Sequence, residues 1–346
     1  MSAPSQEMLE TVAEPAVPDV RAPRLVGRNG LTLAVLATAL VLPFLVQSFL
    51  TFQLTLVLVY AIAIIGLNLL TGFNGQFSLG HSAFYALGAY LAAMLMDKAD
   101  FPYAATLPVA GLACFIFGFL FGLPALRLEG VYLALATFAL AVATPQILKL
   151  SPLEYWTGGV QGIVINKPDA PFGLPLTQDQ WLYFFTLFVT IVMTVLAHNL
   201  VASRTGRAMM AIRDNPTAAR SMGINIALYK SLTFGVSALY TGIAGALGAI
   251  VVQFVAPDSF TFFLSVTLLV GLVVGGVGWI PGAFFGGAFV LFVPNFAESI
   301  SKGLSGAVYG VMIILLIFVL PTGVAGLARA ASEWLRGQAL NKPGRK

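Results

Sequence analysis

Charge is what this chain lacks most. Asp, Glu, Lys and Arg make up 9% of its 346 residues, against roughly 25% in a typical soluble domain. Between Leu31 and Met96 there is none at all, a run of 66 residues. A helix crossing the hydrocarbon of a bilayer, about 30 Å thick, needs about 20 apolar residues, so this run alone has room for about three crossings. No water-soluble fold leaves such a length uncharged. The chain is read as all-α and polytopic, with about 8–10 transmembrane helices and segments broken by glycine.

Other absences narrow the chemistry. There is one cysteine, Cys114, so no disulfide forms within the chain, and no Cys/His spacing suits a metal. The two histidines, His81 and His198, belong to no HExxH or Ser-His-Asp set, and no GxxxxGK[ST] phosphate loop occurs. No catalytic residue, cofactor or metal is therefore expected, and the chain is not read as an enzyme. Proton-driven carriers need carboxylates at membrane depth, where ionisable groups are costly and mark ion paths. Here Asp97, Glu129, Asp258 and Glu298 all stand at segment ends, and His81 is the only titratable group well inside an early apolar segment. A proton relay is disfavoured, although a sodium-coupled carrier working through neutral oxygens stays open.

What is present is apolar: 58% hydrophobic residues, 35 glycines and a mean hydropathy of +0.91. Runs bounded by charge or turn residues fall at 31–50, 52–71, 77–96, 103–123, 128–149, 181–202, 229–255, 262–280, 282–299 and 306–328. Gly275, Gly276, Gly278, Pro281 and Gly282 interrupt the pair 262–280 and 282–299, so this pair reads either as two spans or as one re-entrant segment. Residues 31–328 form the membrane domain. Residues 1–30 show no early apolar core with a cleavage site and read as a disordered cytoplasmic tail; residues 329–346 read as a second cytoplasmic tail.

Orientation comes from two long loops. Loop 203–230 carries Arg204, Arg207, Arg213, Arg220 and Lys230 against Asp214 alone, whereas loop 151–180 carries Lys167 against Glu154, Asp169 and Asp179. Basic residues gather in cytoplasmic loops, which puts 203–230 inside and 151–180 outside. The net charge of +4 thus reports topology, not nucleic-acid binding. Both basic tails read as cytoplasmic, so the number of crossings is even.

Within loop 203–230, Asp214 or Asn215 can cap a short helix opening at Pro216, because proline is tolerated at the first helical position. Gly223 suits its C-terminal stop. An exposed helix of small residues looks like a docking element; the plainer reading is a basic loop that only sets topology. In segment 66–93, Gly72, Gly75 and Gly80 alternate with Asn68, Thr71, Asn74, Gln76, Ser78, His81 and Ser82. Broken backbone at membrane depth survives only if it is buried in protein or lines a wet cavity. Asn68, Asn74, Gln76, Ser78, His81 and Ser82 are accordingly candidates to line a pathway; the alternative is a tight cytoplasmic turn at 72–76 followed by small-residue packing. For the later glycines, with GxxxG at 271/275 and 282/286, helix packing is the favoured reading. Trp156, Trp181 and Tyr183 read as anchors at the lipid headgroups.

The loop TGRAMMAIRDNPTAARSMGI (205–224) resembles the cytoplasmic loop of branched-chain amino-acid ABC permeases of the LivM/LivH type, most of all LivM. Thr217-Ala218-Ala219 with Gly223 keeps the spacing of the broader "EAA…G" coupling motif of ABC importers, with Thr217 in place of Glu. Gly66–Ala93 is similar to the family's early signature segment and Leu268–Phe289 to its glycine-rich late segment. Residues 155–162, YWTGGVQG, resemble its external "TGG…G" stretch. The resemblance covers about residues 50–328. It implies a bacterial inner-membrane importer subunit for branched-chain amino acids. A LivH-like second permease, two cytosolic ATPases and a periplasmic binding protein would be its partners. Arg213, Asp214, Thr217, Ala218, Ala219 and Gly223 would couple it to the ATPase. Relatives of the family carry urea, short amides or other small organic acids, and a stand-alone channel or ion-coupled carrier is the alternative of another class.

Overall fold

The computed structural model describes residues 29–125, 128, 130–171, 175–300, 305–319 and 323–327. The two expected tails lie outside these, except for Asn29 and Gly30, which open the first helix. The chain divides into two units, Met1–Leu40 and Val41–Lys346. Of the first unit, only the start of helix α1 (Asn29–Leu45) is described.

The second unit is a helical bundle. After α1 come α2 (Ser48–Leu67), running directly into a π-helix (Asn68–Phe73), then α3 (His81–Ala99), α4 (Tyr103–Ala125) and α5 (Val131–Leu148). A short α6 (Glu154–Thr157) is followed by α7 (Gln178–Ala202), α8 (Arg204–Asp214), α9 (Pro216–Ser221) and α10 (Ile226–Val252). Helices α11 (Phe262–Gly275), α12 (Gly282–Ile300) and α13 (Ser305–Val319) complete it. Each of the ten apolar runs read from the sequence thus holds one long helix, and the last also holds a short helical stretch at 323–327. Among the described residues, five stretches are long and apolar enough to cross a membrane: Ser48–Phe73, Tyr103–Pro124, Val131–Leu148, Gln178–Ala202 and Ile226–Val252.

Burial separates these by position. About 78% of the apolar window is buried in α2 and in α10, but 22–33% in α4, α5 and α7. So α2 and α10 are the central helices. The peripheral ones turn side chains such as Leu112, Ile116, Phe188 and Val195 outwards, as lipid-facing or subunit-facing surfaces do. Lipid is as apolar as leucine, so close packing rather than water exclusion must hold such helices together, and small residues permit it. A Cβ on Gly88 of α3 would stand 2.0 Å from the carbonyl oxygen of Gly242 in α10, and one on Gly245 would stand 2.0 Å from that of Tyr85.

The same device joins α11 and α12. A Cβ on Gly271 would approach Gly286, and one on Gly275 would stand 2.2 Å from the Gly282 carbonyl oxygen. The two GxxxG motifs therefore face each other across an antiparallel helical hairpin. Its turn, 276–281, uses positive φ at Gly276 (106°) and Gly278 (78°). At about 1.5 Å per residue, the 14 residues of α11 reach about 21 Å, short of a full straight crossing.

Two elements differ from the sequence reading. Helix α3 starts at His81, four residues later than the apolar run, because Gly75 takes φ 74° and the chain from Asn74 to Gly80 is held non-helical by side-chain bonds. Loop 203–230 contains a whole helix, α8, ahead of the expected one. Ser203 caps α8 by accepting from the Thr205 and Gly206 amides, and Met209 and Ile212 are buried against the bundle.

Loops 151–180 and 203–230 sit at opposite ends of α7. At the 151–180 end, a two-residue strand β1 (Ile163–Val164) pairs antiparallel with β2 (Phe254–Val255) after α10. Lys149 donates to Asp258 at 2.5 Å there, and a reciprocal Thr177/Gln180 capping box starts α7.

Candidate functional site

The expected helix in loop 203–230 is present, and its ends are set locally. The Asn215 carboxamide oxygen accepts from the Ala218 amide at 3.0 Å, with Pro216 in the first turn. At the other end the Gly223 amide donates to Arg220 O and the Ile224 amide to Ala219 O. This is the paired bonding of a Schellman stop, with Gly223 at φ 81°. Asn215, rather than Asp214, is the cap. Thr217, Ala218 and Gly223 are exposed, while Ala219 is buried against the loop. Between α8 and α9 lies a shallow groove of about 560 Å³, with Arg204 and Arg207 among its walls and Met222 at its rim. Asp214 is exposed and pairs with Arg213.

Arg213 points the other way. Its Nη1 donates to the carbonyl oxygen of Gly72 at 2.9 Å, at the end of the π-helix, while Nε donates to Asp214 Oδ1 at 2.9 Å. Its stem lies over Gly75, where a Cβ would be 2.8 Å from Arg213 Cγ. The turn 72–76 therefore sits at the end of the bundle that carries loop 203–230.

The six polar residues of the early segment, Asn68, Asn74, Gln76, Ser78, His81 and Ser82, are all buried, and each bonds another element or the turn itself. Asn74 Nδ2 donates to Thr233 Oγ1 at 2.7 Å, and Gln76 Nε2 to the Lys230 carbonyl at 3.1 Å. Ser237 Oγ donates to Gly66 O at 2.7 Å, which leaves its oxygen to accept from His81 Nε2 at 2.8 Å. His81 Nδ1 is then the acceptor for the Ser78 hydroxyl at 3.2 Å. The network thus assigns the Nε2–H tautomer, since a histidine's tautomer is set by the partners of its two nitrogens. At the free N-terminus of α3, where amides have no intrahelical partner, the Ser82 amide donates to Ser265 Oγ at 2.8 Å, and that hydroxyl donates to Ser82 Oγ.

Asn68 reaches the late break. Its Oδ1 accepts from the Gly278 amide at 2.8 Å, and its Nδ2 donates to the Trp279 carbonyl at 3.1 Å. Gly72 makes this possible, because a Cβ there would lie 2.1 Å from Asn68 Oδ1 and 2.7 Å from the Gly278 nitrogen. The early and late glycine-rich segments are in direct contact. One atom of the cluster, Asn74 Oδ1, is buried with no hydrogen-bond partner among the described residues. Among those residues no group of three His, Cys, Asp or Glu is placed to hold a metal.

Sequence reasoning missed partners of this cluster: Thr233, Ser237, Ser265 and Thr137, whose hydroxyl accepts from the Leu79 amide at 2.9 Å; it named Arg213 as a coupling residue but did not place it against the turn. A signal did exist in α10, where Thr233, Ser237 and Thr241 recur every fourth residue on an otherwise apolar helix, so they share one face.

The family model for the branched-chain amino acid transport system permease component matches residues 49–317. The chain belongs to this family. It is 32% identical over 330 residues to the high-affinity branched-chain amino acid transport system permease protein LivM of Escherichia coli K12, covering 88% of this chain and 77% of that protein. To LivM of Salmonella typhimurium it is 30% identical, covering 89% and 77%. The permease LivH of E. coli K12 is 26% identical over 289 residues, 77% of this chain and 91% of LivH. No solved structure matches. The permease family segment 49–317 takes in the π-helix, both glycine-rich breaks, and α8 and α9, so the whole candidate site lies within it.

Proposed function

We propose that this permease is one transmembrane subunit of an ATP-driven importer of branched-chain amino acids in a bacterial inner membrane, with both termini cytoplasmic. The observation that carries the reading is α9. It is a six-residue helix capped at both ends and held on α8, whose Met209 and Ile212 are buried, and it presents Thr217 and Ala218 outwards at the basic end of the bundle. A cytosolic ATPase subunit docks there, and Asp214, Thr217, Ala218, Ala219 and Gly223 shape that contact, with Arg213 behind it. A LivH-like chain supplies the second permease subunit, and a periplasmic binding protein delivers the solute at the 151–180 end. Similarity to both LivM and LivH supports the pairing.

The solute pathway passes along the broken segment 68–82. There Asn68, Asn74, Gln76, Ser78, His81 and Ser82 hold the break in shape, and Asn74 Oδ1 is a buried polar atom with no partner among the described residues. Residues 31–328 are the membrane domain, 203–230 is the coupling loop, and 1–30 and 329–346 are cytoplasmic tails.

Uptake of labelled leucine in cells lacking the chain tests this. Loss of uptake that valine and isoleucine block in the parent strain is the expected result. Unchanged leucine uptake overturns the substrate assignment and turns attention to urea, short amides or other small organic acids. Transport by the purified chain alone, without ATP, overturns the importer reading in favour of a channel or ion-coupled carrier.

A further inference from the structure

We propose that Arg213 and Asn68 are positioning residues that carry movement of loop 203–230 to the turn between α11 and α12, with the π-helix 68–73 as the moving part. The proposal rests on the importer reading and goes beyond it by naming the link between docking helix and membrane segments.

The link is unbroken from loop to hairpin. Helices α8 and α9 meet without a linker, as the Asn215 amide still bonds Ala211 O while its side chain caps α9. Any displacement of α9 therefore moves Arg213, three positions before Pro216. The Arg213 guanidinium is aimed by Asp214, which takes Nε and Nη2, both at 2.9 Å. That leaves Nη1 directed at Gly72 O at 2.9 Å. Such planar, forked contacts fix direction as well as distance. Glycines at 72 and 75 remove any side chain that could cushion the contact. On the far side of the same turn, the Asn68 carboxamide holds both the Gly278 N–H and the Trp279 carbonyl. Displacement of Gly72 is thus delivered to the hairpin turn through one short side chain, Asn68, held at both ends of its carboxamide.

The element between the two contacts can change state. A π-helix holds an extra residue per turn relative to an α-helix, is the less stable form, and occurs as single turns at functional sites. Passing that residue along the chain rotates the downstream segment by roughly 100°, the α-helical angle per residue. Coupling between sites needs such a two-state element rather than mere adjacency.

The test uses the complete transporter purified with its partner subunits and reconstituted in vesicles, reading solute taken up per ATP hydrolysed. Arg213 is partly exposed, so its variants are expected to fold. Arg213→Met keeps the stem over Gly75 but has no donor; it is expected to lower the ratio several-fold with ATPase still co-purifying. Arg213→Lys keeps a charged donor but loses the fork, and its ratio is expected to fall between that of R213M and that of the parent. Asn68→Ala lowers the ratio likewise, and the double variant R213M/N68A is no worse than the worse single one. The proposal is overturned if R213M leaves the ratio unchanged, if R213K is as poor as R213M, if the two losses multiply, or if R213M sheds the ATPase, which would make Arg213 a docking residue. If N68A does not accumulate, the Met/Lys pair decides alone. Absence of any ATPase from the unmutated complex instead overturns the importer reading.

Discussion

Replacing Gly88 with alanine is expected to loosen the bundle at its centre, although alanine is the better helix former. The new Cβ would lie 2.0 Å from Gly242 O and 2.6 Å from Gly242 C and Cα. All three are backbone atoms that no rotamer change can move aside. To reach ordinary contact α3 and α10 must part by roughly 1 Å, and a gap of that size forfeits about a quarter to a half of the dispersion energy of the lining atoms. Overpacking of this kind costs about 1–3 kcal/mol, and the helical preference of alanine over glycine offsets about 0.5–1 kcal/mol of it. The net loss is about 0.5–2 kcal/mol. Gly111→Ala is the matched control. It also faces α10, but its Cβ would meet the Ile243 side chain at 3.0 and 3.1 Å, which can rotate away. It is expected to be neutral or stabilising by up to about 1 kcal/mol. Heating the detergent-solubilised full chain and following the monodisperse fraction by size exclusion ranks G111A at or above the parent and G88A below it. Equal survival of G88A and the parent, or an equal fall in G111A, would refute the idea that backbone contact rather than glycine itself sets the packing.

Asn215→Ala removes the cap of α9, which typically costs about 1 kcal/mol. Amides of residues 217–224 are then expected to exchange with deuterium roughly five-fold faster while those of α10 stay protected; unchanged exchange at 217–224 would show that α9 is held by something other than its cap. His81→Gln keeps an N–H donor towards Ser237 and is expected to keep most leucine uptake per unit of protein. His81→Leu leaves the Ser78 and Ser237 hydroxyls without their buried partner, a loss of about 1–3 kcal/mol, and uptake falls sharply; normal uptake by H81L would dismiss the network as unnecessary.

Legibility in the sequence varies with the range of the interaction. Helix α9 is legible almost to the residue, because Asn215, Pro216 and Gly223 act within a few positions of one another. Helix α8 is not anticipated. Its basic residues point to topology and mask the spacing of Ala208, Met209 and Ile212, which marks a buried face. In the early segment the polar residues stand out, as buried hydrogen-bonding groups in an apolar run must. Their geometry as joints between helices is invisible in the sequence, since Asn68 meets Gly278 across 210 positions and Arg213 meets Gly72 across 141.

The sequence by itself determined that this is a polytopic helical membrane protein, where its apolar segments fall, and where α9 begins and ends. Hydrocarbon forbids charge, and caps and glycine stops are local chemistry. Only the tertiary structure decided which glycines face each other, which helices are central, and that Arg213 turns inwards to the π-helix. A helix that is apolar all round has no stripe to say which face is buried, so the rotation of each helix, and with it every long-range contact, is set by packing alone.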